Sequence, residues 1–131
     1  MSGPAKLYVD YLTKEGYRPT VDSDGDVVFM HEGGTYYIDI DTNDPQYFRL
    51  VFPNFWEIES ADELARVMVA ANYATMRTKA AKIYVRSDGQ NTVASIEMFF
   101  AKPEQFREVF HRAMSALQAS LINFREKMAV L

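Results

Sequence analysis

The chain has 131 residues, of which 48% are hydrophobic and 24% charged, and these values are ordinary for one globular domain. Because it contains no cysteine, disulfide frameworks, thiolate catalysis and cysteine-ligated zinc or iron–sulfur sites are excluded. A formal net charge of −4 argues against a dedicated nucleic-acid binder, and neither a signal-peptide core nor a membrane span of about 20 apolar residues is present. We therefore expect a single cytoplasmic domain over residues 1–131 with no membrane or nucleic-acid partner.

The first quarter of the chain predicts one helix and the start of a sheet. Pro4 suits a first helical turn, and an apolar stripe at helical spacing follows as far as Gly16, a residue that commonly ends helices. A strand is predicted over residues 27–31, after the acidic segment 22–26. The pair Gly33-Gly34 is then predicted to be the two-residue turn of a hairpin.

The acidic segment resembles the start of a calcium loop, with Asp22, Asp24 and Asp26 at alternate positions. An EF-hand also requires glycine at the sixth loop position and glutamate at the twelfth. Counted from Asp22, these positions hold Val27 and Gly33, so both requirements fail. We interpret the segment as a polar turn and expect no calcium site.

The second strand of the hairpin alternates, with Tyr36, Ile38 and Ile40 on one face. A third strand is predicted over residues 47–52, and Pro53 ends it because proline cannot donate a ladder hydrogen bond. These three strands are predicted to form an antiparallel meander.

Two aromatic residues, Phe55 and Trp56, lie in the loop that follows the third strand. Large aromatic side chains in such a loop either cover the end of a sheet or anchor a protein partner, as interface hot spots often do. Both roles are open at this point, and we treat the two residues as candidates for a partner interface.

A middle helix is predicted from the capping box of Ser60 and Glu63 to about Arg77. Its apolar residues fall on two nearly opposite faces. One face contains Leu64, Val67, Met68, Ala71, Ala74 and Thr75, and the other contains Val69, Tyr73 and Met76. Since a surface helix needs only one apolar stripe, we predict that a second subunit or another partner covers Val69, Tyr73 and Met76. Cover by the C-terminal helix is the alternative.

Charge is distributed unevenly along the chain. Residues 1–63 hold 13 acidic and 4 basic residues, whereas residues 64–131 hold 5 acidic and 10 basic residues. The stretch 64–87 contains no acidic residue at all. Either this stretch forms a basic surface for a partner, or the two halves pack together and neutralise each other.

Two further strands, over residues 82–87 and 92–100, and a long last helix opened by Pro103 complete the order α-β-β-β-α-β-β-α. This order predicts an α+β fold in which three helices pack an antiparallel sheet of about five strands. The predicted core comprises Leu7, Tyr11, Leu12, Ile38, Ile40, Leu50, Phe52, Val67, Met68, Ile83, Val85, Phe110, Leu117, Leu121 and Phe124.

Catalytic signatures are missing from the chain. His31 and His111 are its only histidines, and they form neither an HExxH motif nor a closely spaced pair, so no zinc site is expected. His111 falls on the polar side of the last helix, where we expect it to be solvated. There is no GxSxG, GxGxxG or P-loop sequence. We therefore predict a protein that is not an enzyme and has no cofactor.

Several segments resemble the YbjN-like family, whose members are also labelled bacterial sensory transduction regulators. They are Tyr11–Tyr17, Val28–Ile38, Ala71-Asn72, Ala81–Val85 and Ser95–Phe100. The resemblance implies a fold similar to that of type III secretion chaperones, which are small, acidic, often dimeric proteins that bind extended segments of clients. It implies no catalytic residues.

Three functions are compatible with these observations. The leading hypothesis is a non-enzymatic module that binds a protein client, through the sheet or the middle helix, as a chaperone or regulatory accessory. The second is a self-associating structural domain, most simply a homodimer. The third is an enzyme or small-ligand binder with a pocket between sheet and helices, which would require convergent polar groups.

Overall fold

The computed structural model describes all of residues 1–131 and contains three α-helices, six strands and a 3₁₀ helix. In chain order these are α1 (Gly3–Lys14), β1 (Thr20–Val21), β2 (Val27–His31), β3 (Gly34–Ile38), β4 (Tyr47–Pro53), α2 (Ala61–Arg77), β5 (Ala81–Val85), β6 (Thr92–Phe99), the 3₁₀ helix (Pro103–Glu108) and α3 (Phe110–Met128). The strands form one sheet in the order β1-β2-β3-β4-β6-β5, and every neighbouring pair is antiparallel. The predicted α+β class is confirmed.

One face of the sheet forms the core with the helices. Alternate residues of the strands, such as Phe29, Ile38, Leu50 and Ile96, are buried in a single cluster with residues from all three α-helices. The opposite face contributes no residue to that cluster, because successive side chains of a strand point to opposite sides. The sheet therefore has one face packed by helices and one without them.

The structure has one strand more than the five predicted, and this additional strand is β1. It consists of Thr20 and Val21, which pair with Val28 and Val27 and are both exposed. Two exposed residues leave no alternating pattern in the sequence, so pattern analysis could not find this strand.

The hairpin turn lies one residue earlier than predicted. His31 pairs with Gly34, so the two turn residues are Glu32 and Gly33, with φ of 50° and 81°. Positive φ at both positions is the requirement of a type I′ turn. Gly34 is instead the first residue of β3, where a Cβ atom would lie 2.7 Å from the ring of Phe52. That glycine is needed for close packing rather than for the turn.

One long last helix was predicted, but the structure divides this segment into two helices. Pro103 opens the 3₁₀ helix, and Val109, with φ −123° and ψ 1°, separates it from α3. Both pieces still bury one apolar stripe, since Phe106 and Phe110 are fully buried. The break changes the path of the chain without moving this stripe to solvent.

Most of the predicted core is confirmed, and one residue of it is wrong. Nine of the fifteen are buried, namely Leu12, Ile38, Leu50, Val67, Ile83, Phe110, Leu117, Leu121 and Phe124. Five are half-buried, namely Leu7, Tyr11, Ile40, Phe52 and Val85. Met68 is 55% exposed.

Met68 is exposed because the buried face of α2 centres on small residues. Val67, Ala70, Ala71 and Ala74 are the buried residues of this helix, which places its inner face about 60° from the one predicted. Alanine contributes little to a hydrophobic pattern, so the larger Met68 drew the predicted face towards itself. Each helix of the structure is too short or too polar to serve as a membrane span.

Candidate functional site

The outer face of α2 is the first candidate, and the helix begins as predicted. The Ser60 hydroxyl accepts a hydrogen bond from the Glu63 N–H at 3.1 Å, and the Glu63 carboxylate accepts one from the Glu59 N–H at 2.7 Å. The first bond satisfies a backbone donor of the first helical turn, and the second binds the N–H of the residue before the Ser60 cap, one residue earlier than in a capping box. The start of α2 is therefore set locally by the sequence.

Large apolar side chains lie exposed on this outer face. Met68, Val69 and Met76 are 55%, 49% and 71% exposed, respectively. The inner face of the same helix is fully packed by Val67, Ala70, Ala71 and Ala74. Helix α2 thus has a packed inner side and an uncovered outer side, although Met68, which was predicted for the inner side, lies on the outer one. We call Met68, Val69 and Met76 the α2 outer face.

Tyr73 lies between the two faces of α2. It is half-buried, and its ring has the guanidinium carbon of Arg77 at 5.4 Å and the ammonium of Lys127, from α3, at 5.1 Å. Both distances fit cation–π contacts. The C-terminal helix therefore covers part of Tyr73, while Val69 and Met76 have no comparable cover.

Phe55 and Trp56 pack against the core at one end of α3. Their rings meet Phe124 edge-to-face at centroid distances of 5.1 and 5.5 Å, and Phe55 also stacks on Phe52. Both side chains are half-buried. Their observed contacts are those of residues that cover the end of the sheet, and the rest of each ring faces outward.

Helix α2 also covers the free edge of β5. The Thr75 hydroxyl accepts a hydrogen bond from the Ile83 N–H at 2.9 Å and lies 3.4 Å from the Ile83 carbonyl. An unpaired edge strand is a site where further strands can add, and cover by a helix prevents this. This edge of the sheet is therefore not a free binding edge at Ile83.

A cluster of polar side chains occupies the helix-free face of the sheet. Arg49 on β4 and Glu97 on β6 pair directly across the two strands. Arg49 donates to Asp39 at 3.1 Å and to the Tyr84 hydroxyl at 2.7 Å. Glu97 accepts hydrogen bonds from Ser95 at 2.6 Å, from Lys82 at 2.9 Å and from the Tyr47 hydroxyl. We call this set the Arg49–Glu97 network.

Both central charges of the network are fixed at neutral pH. Burial by itself would raise the pKa of Glu97, but hydrogen bonds from Ser95, Tyr47 and Lys82 lower it to about 2. Burial likewise opposes the charge of Arg49, but hydrogen bonding with Tyr37 and the nearby Tyr84 and Asp39 raise its pKa. Neither group exchanges a proton near neutral pH, so this arrangement suits a structural role better than acid–base catalysis.

The local sequence pattern did not predict the Arg49–Glu97 network. Arg49 and Glu97 are charged residues within predicted strands, which is a weak signal that each side chain faces away from the core. Their partnership depends on the register of β4 with β6, which pairs residues 48 positions apart in sequence. No local pattern contains that register.

The histidines and the acidic turn do not form a common site. His111 is exposed, as predicted, and its Nε2 atom lies 3.3 Å from a Glu15 carboxylate oxygen, whereas His31 lies 3.6 Å from Glu32. In the turn, Asp22 accepts hydrogen bonds from the N–H groups of Asp24 and Asp26 at 3.0 and 2.9 Å. These are the bonds of a polar turn.

The most spacious of the surface clefts is mainly polar, and aromatic side chains fill much of the interior. The largest cleft, about 580 Å³, lies beside the end of α1 and is lined mostly by charged and polar groups such as Glu15, Arg18 and His31. Between the sheet and α3 the space is occupied by fully buried rings, namely Phe29, Phe48, Phe106, Phe110 and Phe124. These rings fill that part of the interior, and a smaller groove remains at the surface between β6 and α3.

Comparisons with known proteins show the fold. No protein-family model matches the chain, and no curated protein is similar to it in sequence. A chain in the solved structure of the HopA1–SchA chaperone–effector complex is 12% identical with a TM-score of 0.64, over 96% of this chain and 98% of that one. An uncharacterized protein from Methanothermobacter thermautotrophicus is 10% identical with a TM-score of 0.61, over 97% and 95% of the two chains.

At such low identities the likeness concerns the fold alone. It confirms the predicted α+β fold and its similarity to that of a chaperone found with an effector. No family model supports the resemblance to the YbjN-like family, which stays a prediction.

Proposed function

We propose that this chain is a non-enzymatic, chaperone-like module that binds proteins through the α2 outer face. The proposal rests chiefly on the exposure of Met68, Val69 and Met76 on a helix whose other side is fully packed. The likeness in fold to a chain of a chaperone–effector complex supports a protein partner. A bacterial, cytoplasmic regulatory role, as in the YbjN-like resemblance, belongs to the same proposal.

Burial of the α2 outer face would supply useful binding energy. Removing apolar surface from water contributes about 25 cal/mol per Å², so three such side chains contribute several kcal/mol when covered. Met68 and Met76 are flexible side chains that adapt to differently shaped partners. A surface of this kind suits a protein that holds extended client segments.

A second copy of this chain fits the same face. The first turn of α2 contains Asp62 and Glu63, and its last turn contains Arg77. If two α2 helices meet antiparallel about a two-fold axis, Arg77 of one copy lies near the acidic first turn of the other. We therefore propose a homodimer in which Val69, Tyr73 and Met76 form the centre of the interface, with Phe55 and Trp56 as further partner contacts.

Sedimentation velocity of the wild type and of Val69→Glu tests the dimer. We expect a dimer for the wild type at micromolar concentrations and a folded monomer for Val69→Glu, because an unpaired carboxylate at the interface centre is costly to bury. Ala119→Glu is the matched control, since Ala119 is exposed on α3 and its substitution adds the same charge. A wild-type monomer, or an unaffected Val69→Glu dimer, contradicts the proposed interface.

Capture of clients separates a chaperone-like module from a purely self-associating domain. The wild type, Val69→Glu and Ala119→Glu serve as baits in native pull-downs analysed by mass spectrometry. We expect a partner that the wild type and Ala119→Glu retain and Val69→Glu loses. A dimer that captures no specific partner favours the structural domain, and a partner retained by Val69→Glu contradicts the α2 outer face as the client surface.

A further inference from the structure

The acid-free stretch 64–87 is not neutralised by the acidic half of the chain. Of its five cations, Lys82 is the only one in an ion pair, and its partner Glu97 belongs to the second half as well. No Lys or Arg of residues 64–131 forms an ion pair with an Asp or Glu of residues 1–63. The expectation that the halves neutralise each other is therefore not met by direct pairs. Basic groups remain available to a partner.

One of these free cations stands beside an apolar groove. Lys79, in the turn between α2 and β5, and Arg112, on the first turn of α3, line a groove of about 310 Å³. Most of its other lining residues are apolar, among them Ile96, Met98, Val109 and Ala116. Both Lys79 and Arg112 are exposed, and neither has an ion-pair partner.

The groove exists because the residues above the end of β6 are small. Ile96 is fully buried at its base, and α3 crosses it with the alanines 113 and 116 rather than with large side chains. Val109, which separates the 3₁₀ helix from α3, lines the groove where α3 begins. The groove shares no lining residue with the α2 outer face.

We infer that this groove binds an apolar side chain of a client segment whose neighbouring Asp or Glu pairs with Lys79 or Arg112. The inference rests on the proposed function and specifies the chemistry of the segment. The volume lies at the lower end of ligand sites, which span roughly 300–1,000 Å³, so it suits one or two side chains rather than a large cofactor. Two unpaired cations at an apolar rim select for acidic neighbours, because opposite charges across an interface favour one class of partner.

An acidic peptide fits this site better than other anions do. Nucleic acid is recognised by extended basic surfaces, whereas this groove has two cations in a chain of net charge −4. Its mostly apolar lining matches a leucine, methionine or phenylalanine side chain.

Selection from a displayed library of random peptides, with the full chain as bait, tests the inference. We expect the enriched peptides to place Asp or Glu close to a large apolar residue. A synthetic copy of an enriched peptide should lose about tenfold or more in affinity for the Lys79→Glu/Arg112→Glu double variant. The matched control is Lys102→Glu/Arg125→Glu, which changes the net charge equally at two other exposed cations and should bind as the wild type does.

A second variant fills the groove without changing charge. Ala116→Leu should abolish peptide binding while the protein keeps its unfolding transition, because the added side chain extends into the groove. Enriched peptides without acidic residues, equal binding to the charge-reversed variant, or the absence of any enrichment would each overturn the inference. Loss of self-association in the charge-reversed variant would also overturn it, since a second copy would then be the occupant.

The monomeric Val69→Glu variant separates this inference from the proposed function. If it still binds the peptide, the groove acts independently of the α2 outer face. If Val69→Glu abolishes peptide binding and Lys79→Glu/Arg112→Glu does not, the groove inference fails. The α2 outer face then remains the proposed binding surface. If a protein client binds but no peptide does, the groove inference fails and the proposed function is retained.

Discussion

At the scale of single residues, Glu97 has the most distinctive environment. It accepts hydrogen bonds from Ser95, Tyr47 and Lys82 on a sheet face that no helix covers. Beneath this layer, Val51 is fully buried although it lies outside the main core cluster. The Arg49–Glu97 network therefore lies over apolar residues of the helix-free face. On the opposite face, the helices cover the apolar residues.

The lowered pKa of Glu97 predicts acid sensitivity. The pKa of Glu97 is about 2 in the folded protein, whereas a glutamate without this environment has a pKa of 4.5. Between these two pH values the folded form therefore binds fewer protons than the unfolded chain does. The contribution of Glu97 to the free energy of unfolding is complete above about pH 4.5 and is lost as the pH falls towards 2.

Urea denaturation of the wild type and Glu97→Gln at several pH values checks this prediction. We expect Glu97→Gln to be less stable than the wild type at pH 7 and to show a shallower fall of stability in acid. Glu126→Gln is the control, because Glu126 is exposed on α3 and forms no ion pair. Parallel acid profiles for the wild type and Glu97→Gln would contradict the role of the network.

At the scale of secondary structure, α2 performs two tasks with different faces. Its alanine-rich inner face packs against the core, and its Thr75 hydroxyl satisfies the edge of β5. The same helix presents Met68, Val69 and Met76 to solvent. A binding surface is thus built on a rigid element that the core and the sheet both hold in place.

Thr75→Val should weaken the attachment of α2 to β5. Valine has nearly the shape of threonine but cannot accept the hydrogen bond from the Ile83 N–H, which is 2.9 Å long. Leaving a fully buried donor without a partner costs about 1–3 kcal/mol, and this partly buried donor should lie at the lower end of that range. We expect faster amide exchange at Ile83 and a lower free energy of unfolding, whereas Thr75→Ser keeps the hydroxyl and should show a smaller effect. Equal exchange at Ile83 in all three proteins would contradict this cap.

At the scale of the whole molecule, the helices and one sheet face share a single core. Leu117 on α3 is fully buried in it, and Met68 on α2 is 55% exposed. Leu117→Ala should therefore lower the free energy of unfolding by about 2–5 kcal/mol, because it leaves a cavity. Met68→Ala should change it by no more than about 0.5 kcal/mol.

Both substitutions are best measured in the Val69→Glu background, where the proposed self-association does not add to stability. Chemical denaturation followed by circular dichroism gives the two free energies directly. A cost for Met68→Ala as large as that for Leu117→Ala would mean that Met68 lies in the core after all, and that the α2 outer face is not free.

Local patterns were sufficient to predict most elements of this molecule. The capping box at Ser60, the alternation around Ile38 and the apolar stripe of the last helix each involve residues close in sequence. The physical preferences behind them, namely backbone satisfaction and burial on one face, act over a few residues. They also predicted apolar residues on two sides of α2, but they placed Met68 on the wrong side.

Contacts between distant segments could not be obtained in this way. The register of β4 with β6, which brings Arg49 to Glu97, and the choice of the alanine face of α2 for the core both depend on how whole elements pack. The same holds for the groove beside Lys79, which α3 and the end of β6 form together. Packing selects among faces and registers that are almost equivalent in a single segment, because the energy that separates them comes from surfaces joined only when the chain folds.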